Sequence, residues 1–162
     1  MITNENALLT ILGVKFWSGY KNDKAASLKT IEDNHMEAGA GKFNKKLLPK
    51  HALKEIKDIV TQFKYYFNDN TLTYKALLGT RILPTKDFIG FQKEIAKAQE
   101  SLAKAVDNFS RHYKDHRATA KLMLGDLYNP ADYPDIDDIR KKFVITVDFM
   151  PIPEPNRFSP SV

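Results

Sequence analysis

Two histidines in one segment have a spacing that can serve metal binding. His112 and His116 are four residues apart, so on a helix both imidazoles face the same side, and Asp115 lies between them. Zinc proteases use the pattern His-Glu-x-x-His, in which the Glu is the general base, and Tyr113 stands where that Glu is required. The basic residues that flank the pair oppose cation binding. We therefore expect two surface histidines and no metal site.

A second group of candidate ligands consists of four aspartates close together: Asp132, Asp135, Asp137 and Asp138. Grouped carboxylates hold Mg²⁺ in metal-dependent nucleases. A calcium loop also needs a glycine at its turn and a glutamate at its end, and neither is present. The more economical interpretation is that Asp137 and Asp138 begin a helical turn before Ile139. A metal-dependent nuclease stays open as a third hypothesis.

Motifs for nucleophilic catalysis and phosphate binding are missing from the sequence. There is no Gly-x-Ser-x-Gly, no Walker A pattern and no Gly-x-Gly-x-x-Gly, and the chain has no cysteine. The segment from Ala38 to Lys42 looks like a phosphate-binding loop, but it lacks the preceding strand and the Ser or Thr after the lysine. The sequence therefore predicts a protein that is not an enzyme and that holds no cofactor.

Lysines form the pattern that best indicates binding. On a helix, the lysines from Lys50 to Lys64 lie within about 80° of arc, and a lysine-rich, flexible loop leads into them. Such a row can neutralise several backbone phosphates, and a neighbouring tyrosine can stack on an unpaired base. The predicted nucleic-acid-binding residues are Lys42, Lys45, Lys46, Lys50, Lys54, Lys57, Lys64 and Tyr65. The alternative is that these lysines only keep an amphipathic helix soluble.

The net charge of +5 is unevenly distributed along the chain. Residues 1–84 have 13 Lys/Arg and 8 Asp/Glu, whereas residues 85–162 have 12 of each. A local positive field attracts nucleic acid or an acidic protein partner, and charge alone does not choose between them. A homo-oligomer is compatible with the same composition.

The sequence offers no segment suited to a membrane. No apolar run approaches the ~20 residues that span a bilayer. The residues before Ala7 are acidic, whereas a signal peptide begins with basic residues. The lack of cysteine suits a reducing compartment. We therefore expect a cytoplasmic protein with no membrane partner.

Two amphipathic helices are predicted by apolar residues at steps of three and four. The first covers about 49–68, with Pro49 suited to its first turn, and the second covers about 85–116 and can continue to Gly125. An antiparallel pairing of the two helices is the simplest way to bury both apolar stripes. A further short helix is expected over 23–37.

Three segments rich in strand-forming residues, 7–18, 71–83 and 143–150, are expected to form a small sheet. We predict an α+β fold in which two amphipathic helices, one of them long, pack on this mostly antiparallel sheet. Residues 1–150 are expected to form a single α+β domain, followed by a Pro-rich extended tail over 151–162. The predicted core residues are Leu12, Val14, Phe16, Leu53, Ile56, Val60, Phe63, Phe67, Phe88, Phe91, Ile95, Leu102, Phe109, Ile145, Val147 and Phe149.

Four short motifs occur in a characteristic order along the chain. They are Phe16-Trp17-Ser18-Gly19-Tyr20-Lys21, Arg81-Ile82-Leu83-Pro84, Phe109-x-x-x-Tyr113 and Asp132-Tyr133-Pro134. In this order they resemble a family of uncharacterised proteins from phages and mobile elements. The resemblance implies a phage accessory role outside core metabolism, and it brings no catalytic residues.

Two functional hypotheses follow from these observations. The first is a non-enzymatic, phage-type accessory protein that binds nucleic acid through the basic helix-and-loop surface between Lys42 and Lys64. The alternative is a protein-interaction factor, either an inhibitor of a host or defence protein or a subunit of a phage complex. Under the alternative, the long apolar stripe serves as an interface instead of a core.

Overall fold

The computed structural model describes residues 2–22 and 44–153. Lys42, the helix expected over 23–37 and the tail after Pro153 lie outside this part of the chain. The elements in chain order are β1 (Ala7–Lys15), β2 (Tyr20–Asn22), β3 (Asn44–Lys46), α1 (Lys54–Asp69), β4 (Leu72–Thr73), β5 (Arg81–Pro84), α2 (Phe88–Leu124), α3 (Ile136–Ile139) and β6 (Val144–Met150). Short 3₁₀ turns precede and follow α2.

The chain divides into two compact units, each assembled from separate stretches of sequence. Unit 1 comprises Met1–Lys15, Lys57–Leu102 and Val144–Val162, and unit 2 comprises Phe16–Ile56 and Ala103–Phe143. Both α1 and α2 contribute residues to each unit.

Unit 1 contains a four-stranded antiparallel sheet with the strand order β4-β5-β1-β6. Leu9 of β1 pairs with Ile82 of β5 and Met150 of β6, and its side chain is fully buried. The strands β4 and β5 form a hairpin whose connection includes Gly79 at a φ of 79°, a left-handed conformation that glycine adopts without steric cost. The three segments predicted to form the sheet therefore do form it.

The helices of unit 1 bury the apolar stripes that the sequence indicates. Phe63 and Phe67 of α1 are buried, as are Phe91 and Ile95 of α2. The ring of Phe91 lies 5.8 Å from that of Phe67 and 6.2 Å from that of Phe149 on β6, so it joins both helices to the sheet. This packing confirms the α+β fold, with two amphipathic helices on a small antiparallel sheet. It also shows that the stripe of α2 is core in this unit.

The residues just after β6 are packed into unit 1. Ile152 is only 8% exposed and lies in an apolar cluster with Ala7, Leu9 and Ile82. Its backbone is held by Asn4, whose side-chain amide donates to the Ile152 carbonyl at 2.8 Å and accepts from the Ile152 N–H at 2.5 Å. The first residues of the Pro-rich segment are therefore part of this core.

Unit 2 is built around the second half of α2. Phe109, Tyr113 and Ala120 are buried along one side of the helix, together with Ile139 of α3 and Phe143. The Phe109 ring lies 5.7 Å from Tyr113 and 6.1 Å from Phe143. A small antiparallel ribbon, formed by β2 and β3, belongs to the same unit.

The first helix begins later than the sequence predicts. It starts at Lys54, and the preceding residues form turns in which the Pro49 carbonyl accepts a hydrogen bond from Ala52. His51 has a φ of 68°, a left-handed conformation that a right-handed helix does not contain. The expectation that Pro49 begins the helix is therefore wrong, because His51 adopts a left-handed conformation between Pro49 and the first helical residue.

The predicted core is also wrong at the end of β1. Leu12 and Val14 are only half-buried, and Phe16 is 37% exposed. The pairing of β1 with β5 stops at Thr10, whereas the pairing with β6 continues to Lys15, so the second half of β1 has a neighbour on one side only. Other predicted core residues that are half-buried are Leu53, Phe88, Val147 and Phe149.

Candidate nucleic-acid interface

Lys45 departs most clearly from the predicted lysine surface. It lies on β3, where a flexible loop was expected, and its side chain is buried. Its ammonium group lies 2.5 Å from a carboxylate oxygen of Asp132 and donates to the Leu127 carbonyl at 3.1 Å. The placement of Lys45 on a solvent-facing surface is therefore wrong, because burial and the ion pair withdraw it from any anionic partner.

The other predicted residues divide between the two units. In unit 2, Lys46 is half-buried on β3, and Lys50 is exposed in the turns before α1. Lys54 is exposed at the start of α1 and already takes part in an interaction within the chain. The exposed residues on α1 in unit 1 are Lys57, Lys64 and Tyr65. The prediction that the lysines share one arc of a helix is therefore wrong at Lys50, because Lys50 lies before the helix begins.

A different row of cations lies on α2 within unit 2. It consists of Arg111, Lys114, Arg117 and Lys121, which we call the basic face. The steps of three, three and four residues place these side chains within about 120° of arc, over about 15 Å of helix length. Among the described residues, no carboxylate forms an ion pair with Arg111 or Lys114, and both side chains are exposed. The row therefore presents positive charge beside the buried stripe of α2.

Arg117 is the member of the basic face that the fold holds in place. Its guanidinium lies 4.7 Å from the centre of the Tyr133 ring and 5.8 Å from that of Tyr113. One of its nitrogens also donates to the Tyr128 hydroxyl at 3.4 Å. A guanidinium over an aromatic face is attracted by the ring quadrupole while its remaining N–H groups stay available.

The two tyrosine rings beneath Arg117 are themselves anchored by hydrogen bonds. The Tyr113 hydroxyl donates to the Pro134 carbonyl at 2.7 Å, and the Tyr133 hydroxyl donates to the Leu47 carbonyl at 2.8 Å. Burial raises the pKa of Tyr113 to about 12 and the pKa of Tyr133 to about 12. Both hydroxyls therefore stay protonated and remain donors throughout the neutral range.

The basic face borders a cavity of about 860 Å³ that lies within unit 2. Arg111, Lys114 and Arg117 line it from α2, and the ring of Tyr128 also contributes to its lining. A second cavity of about 500 Å³ shares Ser110 and Arg111 with the first. The larger volume is in the range of small-molecule sites. Its lining combines charged side chains with two tyrosines.

The start of α3 also lines the cavity. Asp135, Ile136 and Asp137 line it there. Asp135 precedes the first residue of α3 and makes no side-chain cap hydrogen bond. Arg140, one turn further on, lies 2.6 Å from Asp107 of α2 and so ties α3 to the long helix. Carboxylates from one element and cations from the other therefore line the same cavity.

The histidines considered as metal ligands have other contacts, and among the aspartates Asp132 and Asp138 form ion pairs with lysines. His112 hydrogen-bonds the Asn108 carbonyl through Nδ1, and His116 stacks on Phe109 at 5.5 Å. Burial, and then the proximity of His112, lower the pKa of His116. Within residues 2–22 and 44–153, no three His, Asp or Glu side chains are grouped closely enough to hold a metal ion.

The sequence contains a pattern of mixed arginines and lysines that indicates the basic face, and a pattern of lysines alone does not show it. The pattern Arg111-x-x-Lys114-x-x-Arg117-x-x-x-Lys121 is visible in the sequence, but the balanced charge of residues 85–162 concealed it. Counted by unit over the described residues, unit 2 has 13 Lys/Arg and 8 Asp/Glu, whereas unit 1 has 8 and 7. The positive excess therefore belongs to unit 2.

Comparison of this chain with protein-family models, with curated proteins and with solved structures found no significant match. In the part of the chain that the structure describes, no helix combines the length and the apolar character needed to cross a bilayer.

Proposed function

We propose that the protein binds nucleic acid, without acting as an enzyme, through the basic face of α2 in unit 2. The observation that carries the proposal is the row of four cations at helical spacing, of which Arg111 and Lys114 are exposed and have no ion-pair partner among the described residues. This row replaces the surface between Lys42 and Lys64 as the expected site of contact.

The dimensions of the row suit a phosphate backbone. Four cations over about 15 Å of helix correspond to several phosphates, because duplex DNA carries one charge per ~1.7 Å of axis. The cation–aromatic stack at Arg117 keeps one of the four oriented before binding, which reduces the entropy lost when a strand docks. Tyr128 lines the cavity beside the row, and its ring lies 5.4 Å from the Tyr133 ring and 5.8 Å from the Lys121 ammonium group.

The phage-type accessory role is part of the same proposal, and the resemblance of the four sequence motifs supports it. Several of those motif residues hold unit 2 together. Trp17 contacts the Tyr113 ring at 6.4 Å, Tyr113 contacts Phe109, and Tyr133 anchors Leu47. Three of the four motifs therefore contribute to the framework that carries the basic face, whereas Arg81–Pro84 lies in unit 1.

Binding can be tested by fluorescence anisotropy with labelled single-stranded and double-stranded DNA at several salt concentrations. The double variant Arg111→Gln/Lys114→Gln should weaken binding to all sequences and lower the salt slope by about one for each residue replaced. An absence of binding to any strand at low salt would overturn the proposal.

Two control variants remove the same charge elsewhere. Lys93→Gln/Lys97→Gln neutralises two exposed lysines on the same helix in unit 1, and Lys57→Gln/Lys64→Gln neutralises the lysines that the sequence favoured. Both should lower affinity much less than the change at the basic face. If the change at Lys57 and Lys64 has the larger effect, the interface lies on α1 instead.

An acidic protein partner is the second candidate. The observation in its favour is that Leu122 is 88% exposed and Met123 is 57% exposed, both at the end of α2 that carries the basic face. Exposed apolar side chains on the same helix end as cations suit a protein better than a phosphate backbone. Recovery of the tagged protein with and without nuclease treatment separates the two, since a protein partner stays bound after the nucleic acid is digested.

A further inference from the structure

The cavity in unit 2 is lined by charges of opposite sign from two elements. Arg111, Lys114 and Arg117 lie on α2, whereas Asp135 and Asp137 lie at the start of α3. Among the described residues, neither carboxylate has an ion-pair or hydrogen-bond partner for its side chain. A ligand that contacts both sets of charges would combine an anionic group with N–H donors.

A nucleotide in a single strand has this combination of groups. Its phosphate is a ligand for guanidinium and ammonium groups, and its base can lie against Tyr128, which lines the cavity. A base that carries an exocyclic amino group also presents N–H donors at its Watson–Crick edge, where a carboxylate accepts them. Asp135 and Asp137 lie on the side of the cavity formed by α3, where such an edge would face them.

We infer that this cavity takes one unpaired base with an exocyclic amino group, with Asp135 and Asp137 accepting from that group while the basic face holds the neighbouring phosphates. This inference rests on the proposed nucleic-acid binding and adds a base preference to it. Cytosine is the most direct case, because its N4 amino group is a donor to carboxylates. The unpaired state follows from the same geometry, since a base within a duplex has its Watson–Crick edge occupied.

Uracil is the base that the cavity should reject. It has the same ring as cytosine but carries a carbonyl oxygen at C4 where cytosine carries the amino group. That oxygen would face the carboxylates of Asp135 and Asp137 as one acceptor opposed to another, and uracil then offers only its N3–H as a donor, where the cytosine amino group offers two N–H. Cytosine and uracil therefore form a matched pair of probes that differ in the feature the cavity is inferred to recognise.

The test is to compare labelled oligodeoxycytidine with oligodeoxyuridine of equal length by fluorescence anisotropy, at mildly alkaline pH where cytosine strands stay unpaired. The cytosine strand should bind at least about fivefold more tightly, the lower limit expected for one well-formed contact between a side chain and a base edge. Both strands should lose affinity with salt in parallel, because their phosphates are the same.

The variant Asp135→Asn/Asp137→Asn should bring the ratio of the two affinities towards one. It should do so mainly by improving the binding of the uridine strand, because two negative charges leave the cavity. The matched control is Asp115→Asn/Asp126→Asn, which removes two exposed carboxylates of unit 2 that do not line the cavity. In the control both affinities should rise together and the ratio should stay the same.

The possible outcomes separate this inference from the proposed function. If neither strand binds at low salt, the nucleic-acid proposal fails and the inference fails with it. If both strands bind with equal affinity, nucleic-acid binding stands and the base preference is wrong. A preference for cytosine that persists in Asp135→Asn/Asp137→Asn would also overturn the inference, because the carboxylates would then not be its source. The thermal midpoint of each variant shows that it is folded.

Discussion

The two halves of α2 are covered in different ways. In unit 1 the first half lies among aromatic rings and a regular sheet, with Phe91 in contact with Phe67 and Phe149. In unit 2 the second half is covered by short helices and turns, and Tyr113 donates a hydrogen bond to the Pro134 carbonyl. In a sheet, backbone N–H and C=O groups form hydrogen bonds with the neighbouring strands. Turns leave some carbonyl groups without a backbone donor. Buried donors such as hydroxyl and ammonium groups are therefore needed in unit 2.

The largest expected effect comes from the buried ion pair of unit 2. Lys45→Ala leaves the Leu127 carbonyl without its donor and the buried Asp132 carboxylate with the half-exposed Lys21, at 3.8 Å, in place of its close partner, and should lower the free energy of unfolding by about 3–5 kcal/mol. Urea unfolding followed by circular dichroism measures the loss. Lys141→Ala, which breaks an exposed pair with Asp138, should cost at most about 1 kcal/mol.

A second change at Asp132 sharpens this result. In the Lys45→Ala background, Asp132→Asn removes the buried carboxylate charge that has lost its close partner, and part of the lost stability should return. A loss below about 1 kcal/mol for Lys45→Ala would show that unit 2 does not depend on its polar contacts as we describe.

The corresponding change in unit 1 is Phe91→Ala, and its effect on the free energy of unfolding should be similar to that of Lys45→Ala. The side chain is 1% exposed and its removal leaves a cavity among three aromatic rings, so the free energy of unfolding should fall by about 3–5 kcal/mol. Gln92→Ala, one residue away and exposed, should change it by at most about 0.5 kcal/mol. If the two variants unfold at the same urea concentration, Phe91 is not in the core.

A smaller effect is expected from Tyr133→Phe. The change removes only the hydroxyl that donates to the Leu47 carbonyl, and leaving that buried acceptor unpaired should cost about 1–3 kcal/mol. Tyr20→Phe is the control, because the Tyr20 side chain is half exposed and its hydroxyl can reach water. Equal thermal midpoints for the two variants would contradict the anchoring role of Tyr133.

The last expected effect is a dependence of stability on alkaline pH. The folded-state pKa values of Tyr113 and Tyr133 are raised to about 12, so between pH 10 and 12 the folded chain binds more protons than the unfolded chain. The stability that these hydroxyls contribute is complete below pH 10 and should decrease as pH rises through that interval. Urea unfolding at a series of pH values measures the slope, and Tyr133→Phe should reduce it.

The contrast between the units also explains what the sequence could predict. The stripe of α2 through Phe91, Ile95 and Leu102 is a repeat within one helix, so the sequence itself contains the information. The pair Lys45–Asp132 joins residues 87 positions apart, and no pattern along the chain indicates which lysine meets which aspartate. The basic face was not predicted for a related reason. The positive excess of unit 2 appears only when the charges of its separate stretches of sequence are counted together.

The packing of Ile152 has a consequence for the recognition of the Pro-rich segment by other proteins. A partner that binds Pro151 and Pro153 in an aromatic groove would have to displace Ile152 from its apolar cluster. Exposing a side chain of this size costs roughly 1.5–3 kcal/mol, which weakens such a complex about 10- to 100-fold. The folded protein therefore competes with any partner for residues 151–153. Only a partner that also replaces the lost apolar contacts of Ile152 can bind them tightly.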